Sequence, residues 1–104
     1  MPDDWKDRLQ KLIQEHLDVP EAAIAATRSL LNARGRSARQ PDEIARGYWP
    51  TVCLFWTTDQ GTVEVEVSAT AYEYSGPSER LDIRRFEHAG EPLVSNELLA
   101  LVPT

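Results

Sequence analysis

The sequence predicts an α+β domain: two N-terminal helices packed on one face of a four-stranded antiparallel meander sheet, followed by a short C-terminal helix. Three observations carry this. Apolar residues recur at helical spacing as far as about residue 34. From Thr51 onward the period changes to two. The strand candidates are joined by short turns, which makes antiparallel neighbours the natural outcome. Helices first and strands after them, rather than the two alternating, is the α+β order. A helix layer on one face leaves the other open to water. With 104 residues the chain reads as one domain, residues 1–104.

Each element has a local cause. Asp4 caps the first helix, expected over about 4–17, and Asp7 adds a first-turn acid. Trp5, Leu9, Leu12, Ile13 and His16 then fall on one helical face. The second helix is expected over 19–34. Asp18 is placed to cap it, with Glu21 three residues on as in a capping box and Pro20 tolerated in the first turn. Its apolar stripe is thin: Ala23, Ile24, Thr27, Leu30 and Leu31, with Gly35 as the stop. Residues 35–49 hold no sustained period and read as a loop with a turn of helix near Asp42 to Arg46. Strands follow at about 51–58, 62–68, 71–74 and 81–87. Ser95 caps a last helix over about 95–102, with Val94 and Leu99 placed as a hydrophobic staple.

The stretch GYWPTVCLFW, residues 47–56, is the least polar in the chain. Pro50 suits a strand entrance and holds Trp49 extended before it. In the strand beyond, both alternating rows are apolar: Val52, Leu54 and Trp56 on one, Cys53 and Phe55 on the other. Such a strand is normally central and covered on both sides. Its partner, VEVEV, has valines on one face and Glu64 and Glu66 on the other. One apolar row must therefore share its face with two carboxylates, and the turn decides which. A three-residue loop, Asp59–Gln60–Gly61, with glycine last as the type I plus αL hairpin prefers, sets Trp56 opposite Glu64 and Leu54 opposite Glu66. Phe55 and Cys53 then enter the core. A two-residue loop reverses the assignment, because a one-residue slip flips every side chain.

On the first register Leu54, Trp56, Glu64 and Glu66 form a mixed apolar and acidic face, extended by Tyr72 and Arg84. Trp, Tyr and Arg are the usual anchors of interfaces. The alternative is that the C-terminal helix or the arginine-rich segment covers Trp56 and that the glutamates pair with Arg84 or Arg85 across strands. Pairing two such faces in a homodimer would hide the surface.

Chemistry is sparse. His16, His88 and the lone Cys53 make no zinc pattern, and no metal or cofactor is expected. Cys53, mid-strand, reads as a buried inert thiol, and His88 as a solvated strand end. No phosphate-binding glycine loop, nucleophile elbow or calcium loop occurs. Glu64 and Glu66 lie about 6.5–7 Å apart along their strand, a spacing that can hold a water between two carboxylates but recurs in ordinary surface strands. No catalytic residue is assigned.

The net charge of −6 opposes general nucleic-acid or anionic-membrane binding. It is uneven: residues 28–46 hold five arginines against Asp42 and Glu43, a window of +3 in a remainder of −9. Arginine outnumbers lysine nine to two, which suggests a GC-rich bacterial coding sequence. No apolar run approaches the roughly 20 residues of a membrane span. The start lacks a signal-peptide pattern, and one cysteine cannot form an internal disulfide. A cytoplasmic protein is expected.

The leading functional expectation is a small non-enzymatic interaction module, of the adaptor, inhibitor or immunity kind, gripping a protein partner through the open sheet face. A second is anion or nucleic-acid binding through Arg34, Arg36 and Arg39, although no aromatic residue interleaves them to stack bases. A third is a small-ligand domain with a polar cleft between helices and sheet that holds His88 or Glu73.

Overall fold

The computed structural model describes residues 5–34, 39–77, 83–88 and 94–103. The element order is α1 (Trp5–Glu15), α2 (Glu21–Ala33), β1 (Glu43–Arg46), β2 (Val52–Thr58), β3 (Gly61–Val67), β4 (Ala71–Ser75), β5 (Ile83–Glu87) and α3 (Asn96–Leu101). The sheet has five strands, not four, in the order β1-β2-β3-β4-β5, every neighbouring pair antiparallel. The added strand is β1, where the sequence suggested a helical turn. Four residues are too few to display a period. What makes them a strand is β2: apolar on both faces, it takes a neighbour on each side, and β1 pairs with it from Glu43↔Phe55 to Arg46↔Val52.

The β2–β3 turn corrects the expected register. The loop has two residues, Asp59 and Gln60, and Thr58 pairs with Gly61. Gly61, at φ 122°, opens β3 instead of closing the loop. The Thr58 hydroxyl stitches the turn, donating to Gly61 O at 2.7 Å and accepting from Gln60 N at 3.2 Å. In consequence Val52 faces Val67, Leu54 faces Val65 and Trp56 faces Val63. The physical reason is the hydrophobic row. This register puts three large apolar side chains on the same face as three valines, whereas the other leaves an indole beside two carboxylates. Burial favours the first by roughly 25 cal/mol per Å² of apolar surface.

All three helices pack on that face. Leu9 and Leu12 of α1, Ala23, Leu30 and Leu31 of α2, and Leu98 of α3 join Leu54, Trp56, Val65, Tyr72 and Tyr74 in one core. The Tyr72 hydroxyl donates to Ala26 O at 2.8 Å, tying β4 to α2, and burial pushes its pKa up to about 12. Neither His88 nor Glu73 lines the groove that does lie between α1 and β1. His88 is buried rather than solvated: Ser68 O lies 2.9 Å from its Nε2, and its ring lies 5.0 Å from that of Tyr72.

The caps divide. Ser95 accepts from Glu97 N at 3.2 Å and caps α3 as expected. Asp18 does not cap α2, whose N-cap is Pro20 with no side-chain bond. Instead Asp18 pairs with Arg46 through both oxygens, fastening the α1–α2 link to β1, and this hydrogen bond holds its carboxyl below the usual range. Asp4, Gly35, Arg36 and the first residues of the strand expected at 81–87 lie outside the described residues. No helix among the described residues is long and apolar enough to cross a membrane.

Candidate functional site

The register separates the residues that the sequence grouped into one surface. Leu54 and Trp56 are wholly buried and Tyr72 nearly so, all on the helix-covered face. Glu64 and Glu66 lie on the opposite face. Arg84 pairs with Tyr74 on the covered side of the edge strand, at an exposed position. The mixed face expected around Trp56 is therefore replaced by another.

Trp56 is sealed by the arginine-rich segment. The Arg34 guanidinium lies 5.0 Å from the centroid of the indole ring, and Trp56 Nε1 donates to Arg39 O at 3.2 Å. Arg34 also donates to Arg39 O at 2.7 Å and to Pro103 O, so it pins the chain's two flanks over one aromatic ring. Burial lowers its pKa. Arg39 donates to Asp42 at 2.8 Å and to Thr57 O. Two of the three arginines offered as anion ligands thus serve internal acceptors, and Arg36 lies outside the described residues.

The open face has an order set by strand pairing. One cross-strand row runs Ala45, Cys53, Glu66, Glu73, Arg85; the next runs Glu43, Phe55, Glu64, Ser75, Ile83. Ala45, Cys53 and Phe55 lie toward β1 and β2 with Glu43 on the β1 edge, three carboxylates occupy the middle, and Arg85 stands across from Glu73. Glu66 stands directly across from Glu73, a like-charge pairing that disfavours the sheet. Among the described residues, Glu64, Glu66 and Glu73 take part in neither of the ion pairs, Arg39–Asp42 and Arg46–Asp18. Partial burial, then the charges of Glu66 and Glu73, holds the Glu64 carboxyl above its ordinary range.

The β1–β2 loop closes one end of this face. A Cβ built on Gly47 would stand 2.3 Å from Thr51 Oγ1 and 2.9 Å from both Cys53 Sγ and Glu66 Oε2, so glycine lets the loop lie against the sheet. Thr51 Oγ1 donates to Glu66 Oε2 at 2.7 Å. At the loop's tip Tyr48 and Trp49 meet edge to face at 5.3 Å, 89% and 67% exposed. Ile83, 53% exposed, marks the far side. Sequence reasoning placed Trp49 at a strand entrance and passed over it; the signal was its position before Pro50 at the tip of a loop. Cys53 is buried as expected, but by the loop on the open face opposite Glu66 and not in the core beside Val67, because the register is shifted by one residue. Desolvation, then Glu64 and Glu66, pushes its thiol up to about 11, so it stays protonated near neutrality and is a poor nucleophile. No group of three metal-ligating side chains occurs among the described residues.

A face of this kind can receive a cation or a basic surface, with aromatic groups at its margin for contact area. No family model matches the chain, and neither a curated protein nor a solved structure is significantly similar to it.

Proposed function

We propose that the protein is a small non-enzymatic interaction module whose open sheet face grips a basic patch on a protein partner. The observation that carries this is the cluster of three carboxylates, Glu64, Glu66 and Glu73, on adjacent strands, outside the described ion pairs. Their mutual repulsion costs stability in the free protein, and a cationic surface relieves it. Around them Phe55, Ile83, Tyr48 and Trp49 provide the apolar and aromatic contact that concentrates binding energy at interfaces. The choice of binding over catalysis rests on the same residues. The one thiol is buried and held protonated, and the acids sit on a pleated surface rather than in a cleft.

The test is native mass spectrometry on the protein isolated at low salt from its own cells, run beside the charge-reversed variant E64K/E66K/E73K. Circular dichroism first establishes that the variant folds. A basic protein that travels with the wild type, leaves with rising salt and is lost from the variant is the expected result. W49A, whose side chain is mostly exposed, should weaken the same complex by at least about 2 kcal/mol if it anchors the rim. A partner retained equally by wild type and variant overturns the reading.

A further inference from the structure

The two edges of the sheet differ. β1 is half-buried along most of its length, and α1 packs beside it. β5 is exposed at Ile83, Arg84, Arg85 and Glu87, and only Phe86 is half-buried. It is the last strand in the sheet order, so its outer side has no strand partner among the described residues. An exposed edge with open main-chain groups is a template for another strand, and folded proteins seldom leave one unguarded. β5 holds no proline that would block such pairing.

The pairing with β4 decides which groups point outward. His88 N donates to Thr70 O at 3.0 Å. Main-chain groups alternate in direction along a strand, so those of Arg84 and Phe86 turn with His88 towards β4. Those of Ile83, Arg85 and Glu87 turn outward. The same three residues lie on the open face, in register with Ser75, Glu73 and Ala71. A second copy related by a two-fold axis normal to the sheet pairs antiparallel and keeps the two open faces on one side. Residues opposed across the seam must share a face, so the axis passes through one residue of β5. At Arg84, Arg85 or Glu87 it sets a charge against its own copy, which destabilises the pairing. At Ile83 little of the strand overlaps. At Phe86 it sets Arg85 across from Glu87, twice, each time as a hydrogen-bonded pair, and Phe86 faces Phe86 on the helix side. Among the described residues, Arg85 and Glu87 enter neither of the ion pairs.

We propose that β5 pairs antiparallel with β5 of a second copy of this chain, with Phe86 on the two-fold axis, so that Arg85 of each copy meets Glu87 of the other. Opposite-charge and aromatic cross-strand pairs both stabilise such a seam. Each Arg85 then stands between Glu73 of its own chain and Glu87 of the second copy. Joining edges leaves Glu64, Glu66 and Glu73 uncovered and places two acidic faces on one side of the dimer. The seam is short, so the association is weak and reversible.

Sedimentation equilibrium on the full chain tests this. The wild type should pass from monomer to dimer between about 5 µM and about 1 mM. R85E and E87R, each first shown to fold by circular dichroism, should dimerise at least about tenfold more weakly, because each opposes like charges. An equimolar mixture of the two variants should regain the wild-type affinity, since every cross-strand pair between them joins opposite charges. Hydrogen exchange followed by NMR gives a readout on the wild-type chain that needs no variant. The amides of Arg85 and Glu87 should slow as the chain is concentrated, while that of Phe86, already turned to β4, should not change. A monomer throughout that range, either variant dimerising as tightly as the wild type, a mixture of folded variants that stays monomeric, or concentration-dependent protection confined to β1 would overturn the proposal.

Discussion

Trp49 and Trp56 stand in the same ten-residue stretch and meet opposite fates. Trp56 is wholly buried, with a guanidinium over its ring and a carbonyl on its indole nitrogen; Trp49 is 67% exposed at the tip of a loop. The pair stands for the two sides of the molecule. One side of the sheet joins large apolar rows from five strands and three helices. The other carries Phe55 and Cys53 among three carboxylates, with the β1–β2 loop folded against it. The difference teaches that an aromatic-rich strand does not mark a binding surface by itself. The larger apolar row goes to the core, and what remains outside is the smaller row with whatever charges the partner strand supplies.

Substituting Trp56 probes the comparison most severely. W56A removes a side chain buried in the centre of the core and strands the Arg34 guanidinium; the expected loss is about 3–5 kcal/mol in chemical denaturation. W49A should change stability by no more than about 0.5 kcal/mol. Equal losses at the two positions would erase the distinction between the faces.

Gly61 comes next, because it helps decide which rows share a face. Its φ is 122°, and a Cβ at this position would stand 2.6 Å from Pro77 O, so there is no room for a side chain. G61A should cost about 1–3 kcal/mol of strain, and the same denaturation measurement checks it. A neutral result would mean that the turn can rearrange without disturbing the two faces.

The smallest effect belongs to the open face. Burial and its acidic neighbours raise the Glu64 pKa, so folding favours its protonated form. That contribution is fully present below the ordinary carboxylate range. It is lost as pH rises from there through the raised value, so ionised Glu64 is a liability at neutral pH. E64Q should therefore exceed the wild type in stability at pH 7 by less than about 1 kcal/mol, as partly exposed cross-strand charges do. The gap should close below about pH 4. Thermal melts at several pH values would reveal it, and a gap that stays constant with pH would assign the change to packing instead.

Much of the fold is legible in the sequence because it rests on period. The helical face of Leu9 and Leu12 and the alternation of Val63, Val65 and Val67 are each long enough to read. β1 is not, since Glu43–Arg46 is too short to show one. Its signal lies elsewhere, in the apolar character of both rows of β2, which calls for a neighbour on each side. The candidate site is half legible for a related reason. Glu64 and Glu66 are identifiable as outward-facing, but their neighbours depend on one residue of register. There a glycine's preference for closing a three-residue loop competes with the burial of a whole apolar row. The preference is worth little beside the row, and the row prevails. That the arginine-rich segment covers Trp56 is one of the two readings the sequence leaves open, and the register, which turns Trp56 to the covered face, decides for it.

The uninterrupted strand order has a kinetic consequence. Each strand pairs with its neighbour in the chain, so the sheet can grow hairpin by hairpin, each step closing only a short loop at little entropic cost. Docking α1 against β1 is different, because it joins segments with the whole of α2 between them. That seam is expected to form late and to open first in local fluctuations. Native-state hydrogen exchange would then find the amides of β2 and β3 exchanging by global unfolding, while those of α1 exchange through a smaller opening.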